Sequence, residues 1–577
     1  MSLSTDRGLR TMFAYRPGRL TAGLVFRVGY ADETLPTSGI TTLALALALR
    51  SVERPGLDLA ASVGPTVTEV RVSGSEDRVR ATLRGLSDAL ADLPVRHRGT
   101  EARALRERVA DVVALPPWRF GLQGYGLGPG QYVGLHRVTD GELRAWARRW
   151  FVGSNAVAWS TGESTPDLDL ALPDGAGRDL PAPPADGLAS HLPAEAPAGG
   201  NKVMWDAVVP DVPALGVLAE VARRAVFQNL RHDRGWTYDV YASVGMLDAQ
   251  RATLQIAAGL RQETAAAATG EFLDTWGRLR YAVDENELET ARAHLLMAFD
   301  EPHQDAMWLS DDAVRTLLGR SAVSPAQRRT AIENVTEADV VALARQAWDS
   351  GLLVTPVGSG WAGTSFVPRG AGEPVAGRAF ERLDVDATIV VGNEGATLRD
   401  GRTRTTVRFG AVAALLAYPD GGRLLIGLDG ARVPLEPTLH DDLDVPTVVR
   451  LVDQRVPSDR TIPVPRPEAP ERPDRARIQK VRQARAEREA GEDGLRRTSR
   501  RLVADAGRVG AVVGIFLALL TAISGVLASM AALLLWALAA WLDGPQDWQL
   551  PAIVVPAGLI CAGVTWLCYR GLRRLRQ

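Results

Sequence analysis

Apolar positions are distributed unevenly along the chain. Residues 509–542 form an unbroken uncharged run of about 34, well beyond the roughly 20 needed to cross a bilayer. A polar loop over 543–549 carries Asp543 and Asp547, and a second apolar run covers 551–569. Two transmembrane spans are therefore expected. Arg496, Arg497, Arg500, Arg501 and Arg508 precede the first, and Arg570, Arg573, Arg574 and Arg576 follow the second. By the positive-inside bias both ends face the cytoplasm, which predicts an inner (plasma) membrane protein with cytoplasmic soluble domains.

Upstream the periodicity is of ordinary globular kind. The segment 138–150 recurs in pattern at 335–348. Each copy starts with a threonine followed three residues later by an acid, Thr139 with Glu142 and Thr336 with Asp339. That is a capping-box signature, so each predicts a helix start. A short apolar strand ending in glycine follows each helix, over 155–162 and 352–358. Two tandem α+β halves result, 1–165 and 201–370, joined by a Pro/Ala/Gly-rich linker over 166–200. Within 376–463 the texture changes to short strands at 387–392, 405–409, 411–418 and 423–428, punctuated by glycine and aspartate turns. A helix-like stretch near 445–452 closes this β-rich module. The segment 464–508 then reads as a Pro-rich linker and a charged juxtamembrane helix, whose mixed-sign charges suit a solvated face.

Composition narrows the functional classes. The net charge is −2, which argues against a nucleic-acid partner. Lysine occurs only as Lys202 and Lys480, so arginine supplies nearly every positive charge. Both cysteines, Cys561 and Cys568, lie in the last apolar run, so the soluble part has no disulfide framework. The N-terminus has no apolar signal-peptide core. His97, His136, His191, His232, His294, His303 and His440 form no metal-ligand spacing and read as surface or packing residues. The glycines at 124, 126, 128 and 130 are followed by no P-loop lysine and read as a flexible loop.

Several segments, taken in order, carry a family resemblance. Arg27-Val-Gly-Tyr-Ala-Asp-Glu followed by Gly39-Ile-Thr, the helix ending at Trp150, and Asn229-Leu-Arg-His-Asp-Arg-Gly-Trp-Thr-Tyr occur in that sequence. Together they resemble the pitrilysin/insulinase family of zinc peptidases over about 360 residues. The resemblance implies two α+β halves forming a half-chamber. The 376–463 module in turn looks like a small pleckstrin-homology-like barrel.

The family's chemistry needs two histidines one turn apart as zinc ligands, with a glutamate between them as base. On that pattern the ligand and base positions hold Thr42, Leu45 and Ala46, and the distal acid falls near Ala114. Catalytic and metal residues are therefore expected to be absent, with no cofactor in this chain and zinc only in a partner subunit. The resemblance further implies that Arg234 and Tyr238 hold the substrate backbone and an oxyanion. A plainer alternative has Arg234 paired with Asp233 or Asp239 and Tyr238 merely packed. The expected function is that of a membrane-anchored, inactive homologue binding peptide for a zinc-bearing subunit. The alternative is a structural scaffold, as with peptidase-like core subunits of respiratory complexes.

Overall fold

The computed structural model describes residues 2–490, except 7, 53–55, 109–115, 129–131, 181–187, 189–190, 198–199, 301–303, 357–359, 362, 368–369, 371, 402, 441–444, 467 and 489. The two expected membrane spans and the end of the juxtamembrane stretch lie outside the described residues. Among the described residues no helix is long and apolar enough to cross a membrane. Met1–Pro473 forms one compact unit. Beyond it a helix is described over 475–488.

The first half runs β1 (Ser2–Asp6), β2 (Leu9–Tyr15), β3 (Leu20–Phe26), α1 (Ile40–Arg50), β4 (Asp58–Val63), β5 (Thr68–Gly74), α2 (Glu76–Ala91), α3 (Arg98–Glu107), α4 (Pro116–Phe120), α5 (Asp140–Trp150) and β6 (Ala156–Gly162). Its strands form one sheet in the order β1-β2-β6-β3-β5-β4. The central strands β3 and β6 are buried along their whole length, as expected of apolar strands covered on both faces. On one face α1, α2 and α5 bury Leu43, Leu47, Leu83, Leu86 and Leu143 against Leu24 and Phe26.

The second half repeats the plan with β7 (Ala194–Pro197), β8 (Lys202–Pro210), α6 (Ala214–Phe227), β9 (Val240–Met246), β10 (Arg251–Gly259), α7 (Ala265–Arg278), α8 (Glu285–Met297), α9 (Gln304–Leu317), α10 (Pro325–Glu333), α11 (Glu337–Asp349), β11 (Leu352–Thr355) and β12 (Ser365–Phe366). The order β12-β7-β11-β8-β10-β9 matches the first sheet position for position. In both, a parallel pair, β2 with β6 and β7 with β11, adjoins an antiparallel neighbour, β3 or β8, whereas the outer strand is antiparallel in the first sheet (β1 on β2) and parallel in the second (β12 on β7). The repeat seen in the sequence is thus a repeat of the sheet itself. Both capping boxes close, Glu142 N to Thr139 Oγ1 at 3.2 Å and Asp339 N to Thr336 Oγ1 at 3.2 Å. The stretch taken for a linker is more than that, because Ala194–Pro197 is a strand within the second sheet.

The halves clasp each other. From the second half, α9 lies on the free face of the first sheet, where Leu309, Ala313 and Val314 meet Met12, Val25, Val157 and Trp159. In return Trp118, Phe120 and Tyr125 of the first half pack among Met204, Leu352 and Leu247 of the second.

The β-rich module comprises β13 (Arg378–Glu381), β14 (Ala387–Val391), β15 (Gly395–Asp400), β16 (Thr403–Arg408), β17 (Val412–Ala417), β18 (Arg423–Gly427), β19 (Arg432–Leu435), α12 (Val445–Arg455) and β20 (Thr461–Pro463). It forms two four-stranded sheets, β13-β14-β15-β16 and β19-β18-β17-β20. Phe380, Ile389, Val407, Leu415, Leu425 and Val452 share its core. Its β17–β18 face packs on the first half, Ala414, Leu416 and Ile426 meeting Leu35, Leu122 and Leu127.

The described part of the glycine-rich segment, 124–128, is a packed turn rather than a flexible loop, and 129–130 lie outside the described residues. Gly124–Gly126 forms a tight turn and Tyr125 is buried within it. Leu122 N donates to Leu428 O at 2.7 Å. Gly121 has φ +71°, and a Cβ there would lie 2.0 Å from Leu428 O. The glycines let two backbones touch.

Candidate functional site

The helix that would carry a metal is α1. The segment before it is built to anchor that helix. Buried Arg27 makes a two-point ion pair with Asp32, each bond 2.7 Å, and also donates to Thr66 O and Asp179 O. Glu33 then accepts from Gly39 N at 2.6 Å and Thr41 N at 2.9 Å, placing a carboxylate on the orphan N–H groups of α1. Gly39 sits at the helix N-cap with φ +89°, a conformation glycine adopts without strain. Burial pushes the Glu33 carboxyl up to about 7, although the donors at Thr41 and Gly39 pull the other way.

Along α1, Thr42 and Ala46 share a half-buried face and Leu45 points into the core. These residues do not fit a zinc ion. Leu45 and Ala46 have no donor atom, and a lone threonine hydroxyl is a poor ligand for the metal. Trp146 Nε1 donates to Thr41 Oγ1 at 3.1 Å, tying α5 to this turn. Among the described residues no group of three His, Cys, Asp or Glu side chains could hold a metal. Ala114, at the expected distal-acid position, lies outside the described residues. His294 sits 3.0 Å from Glu220, and buried His440 bonds the Glu381 carbonyl at 3.0 Å, so both have structural partners.

The second-half signature lies where α6 gives way to β9. After Phe227 the helix widens into a π-turn over Gln228–Asp233, with buried Leu230 as its pin. Such widenings insert a residue into the helix and occur often at functional sites. Gly235 at φ +66° then reverses the chain, and Trp236 N closes back on Leu230 O at 2.8 Å. Buried Thr237 donates to Asp239 O at 2.9 Å and starts the path into β9.

This geometry separates the two residues singled out in the sequence. Arg234 ion-pairs with Glu271 of α7 at 2.7 Å and lies over the Trp236 ring at 4.9 Å. The acid is therefore neither Asp233 nor Asp239. Asp233 takes a hydrogen bond from Gln228 instead. Tyr238 is 67% exposed and is not merely packed. Two other arginines flank its ring, Arg231 at 5.2 Å and Arg261 at 4.7 Å from the centroid, and Arg261 Nη2 donates to its hydroxyl. Among the described residues neither Arg231 nor Arg261 has a carboxylate within ion-pair distance. Arg231 lies inside the quoted signature, but the π-turn that swings it towards Tyr238 has no local sequence mark. Arg261 reaches the site only through the register of β9 on β10, in which Val240 faces Ala258. β9 is the edge of its sheet, with Tyr241 and Val244 partly open to solvent. Lys202 Nζ lies 6.0 Å from the Tyr241 ring, and burial together with Asp239 raises the Tyr241 phenol pKa.

Residues 206–295, which include this signature, match a family model described as the peptidase M16 inactive domain. The fold is similar to that of a peptidase M16 inactive domain from Pseudomonas fluorescens, at 14% identity and a TM-score of 0.52, over 61% of this chain and 98% of that one. It is also similar to a chain of complex III2 from Candida albicans with Inz-5 bound, at 16% identity and a TM-score of 0.51, over 61% of this chain and 94% of that one. No curated protein matches the chain in sequence. The two halves thus share the α+β fold of these M16-type structures, and the segment 206–295 within them is similar to the M16 inactive domain.

Proposed function

We propose that this chain is a catalytically inactive M16-type subunit that binds peptide for a separate zinc-bearing subunit. The observation that carries the reading is Tyr238, exposed at the edge of the second sheet and flanked by Arg231 and Arg261. Phenol and guanidinium are donors suited to a peptide carbonyl, most of all one gaining charge. A chain whose α1 has Thr42, Leu45 and Ala46 at the ligand and base positions has no means of its own to activate water. In this reading the halves 1–165 and 201–370 form half of a chamber, and 376–463 is a pleckstrin-homology-like module. The spans 509–542 and 551–569 anchor the chain in the plasma membrane with its soluble domains cytoplasmic.

Co-purification of the full chain from its own cells, followed by reconstitution with the zinc-bearing subunit, tests this. Losing one oxyanion donor costs about 2.7–4 kcal/mol. Tyr238→Phe and Arg231→Ala should therefore each slow turnover of the pair roughly a hundredfold or more, with assembly intact. Arg234→Ala should act less strongly, because its guanidinium is held by Glu271.

That ion pair favours the second reading, a scaffold of a membrane complex with no part in proteolysis. The likeness to a chain of complex III2 agrees with it in fold. Silence of both Tyr238→Phe and Arg231→Ala in an active pair would decide for the scaffold.

A further inference from the structure

We infer that the Arg231–Tyr238–Arg261 cluster makes this face selective for extended peptides that carry carboxylates. The inference rests on the peptide-binding reading and adds the class of peptide. Elsewhere in the fold Arg27 pairs with Asp32, Arg119 with Asp206, and Arg328 with Asp311 and Asp312. Around Tyr238 the arginines are exposed. Arg231 and Arg261 face the ring with no acid in reach among the described residues, and Lys202 stands in the same way over Tyr241.

The acids nearby are turned to other work or stand apart. Glu271 is taken by Arg234, and Asp233 by Gln228. Asp239 turns its carboxylate against Gly259, where a Cβ would lie 2.4 Å from Oδ1. Glu263 lies in the turn after Arg261 and makes no ion pair with it.

A guanidinium is planar and offers a fork of N–H donors that matches a carboxylate at two points. Arg261 already spends one donor on the Tyr238 hydroxyl, which fixes its plane and leaves the rest of the fork open. Stacking on the phenol holds both guanidiniums at little entropic cost on binding. The open edge of β9 beside them offers backbone N–H and C=O groups to an extended chain. Together they favour a strand-like peptide whose carboxylate, from an acidic side chain or from the C-terminus, reaches Tyr238.

The test uses the full-length protein in detergent and rhodamine-labelled twelve-residue peptides read by fluorescence anisotropy. One peptide has alternate glutamates and an amidated C-terminus, the second has glutamines and an amide, and the third has glutamines and a free C-terminus. Either carboxylate-bearing peptide should bind about tenfold tighter than the neutral amide. Whichever arm gains identifies the source. Arg261→Gln and Arg231→Gln should remove the preference, so that all three peptides bind alike, and Arg261→Lys should restore part of it. Equal binding of all three peptides overturns the carboxylate preference and leaves peptide binding standing. Failure of every peptide to bind overturns both. A preference that survives both glutamine substitutions overturns the assignment to this cluster.

Discussion

Arg119, from the first half, is buried against Asp206 in the sheet of the second, with Nε 2.9 Å from Oδ2. Its Nη2 donates to Asp206 O and Ser350 O, both at 2.8 Å. Gln255 adds a bond to Asp206 at 2.9 Å. Removing one partner of such a pair strands a buried charge, at a cost of about 3–5 kcal/mol. Arg119→Ala and Asp206→Ala should each lower stability by that amount in urea unfolding. A loss under about 1 kcal/mol would mean that the pair does not join the halves.

Glu33 gives the fold a pH dependence of definite sign. Its carboxyl rises from 4.5 when unfolded to about 7 when folded. A raised pKa contributes stability that is fully present below pH 4.5 and is lost as pH rises through about 7. The swing is roughly 3 kcal/mol. The stability difference between wild type and Glu33→Gln should therefore shift by that amount against the wild type between pH 4 and pH 8. A constant difference across the range would show that Glu33 is not buried as described.

Gly351 lies flat against an indole. A Cβ there would sit 1.9 Å from Trp205 Cζ2, and that ring is stacked on Trp348 at 4.5 Å and bonded to Ala347 O at 3.0 Å. Gly351→Ala should cost about 1–3 kcal/mol through overpacking. It should also shift the tryptophan emission, since Trp205 has to leave its stack. Unchanged stability and emission together would refute the close approach.

Metal analysis checks α1. Full-length protein dialysed against zinc and then against buffer should retain well under one zinc per chain, given Thr42, Leu45 and Ala46 on that helix. One tightly held zinc that disappears when residues of α1 are changed would contradict this.

What the sequence revealed and what it hid divide along a physical line. Local chemistry was legible. Thr139 with Glu142 and Thr336 with Asp339 start their helices as the capping pattern requires, and the strands near 387, 412 and 423 lie close to where alternation put them. What depends on distant partners was not. Ala194–Pro197 is a strand because β11 and β12 pair with it, although its alanines and proline carry little strand preference. Gly126 looked like slack, and only the approach of the Gly121 carbonyl, 1.9 Å from where a Cβ would lie, shows why no side chain fits there. At the candidate site Tyr238 was visible, whereas its companions depend on a π-turn and a strand register. The signature placed Arg234 beside it, and the fold places Arg231 and Arg261 there.

The crossing of α9 onto the first sheet has a consequence for synthesis. The face formed by Met12, Val25, Val157 and Trp159 waits for Leu309, Val314 and Leu318, about 150 residues after β6 leaves the ribosome. At about 5–20 residues per second that interval is on the order of ten seconds. Throughout it the nascent chain presents a finished apolar sheet with no cover, and a chaperone has a defined window in which to act. A ribosome paused shortly after residue 200 should hold a chain that recruits such a factor. One paused some forty residues beyond 318, with α9 clear of the exit tunnel, should not.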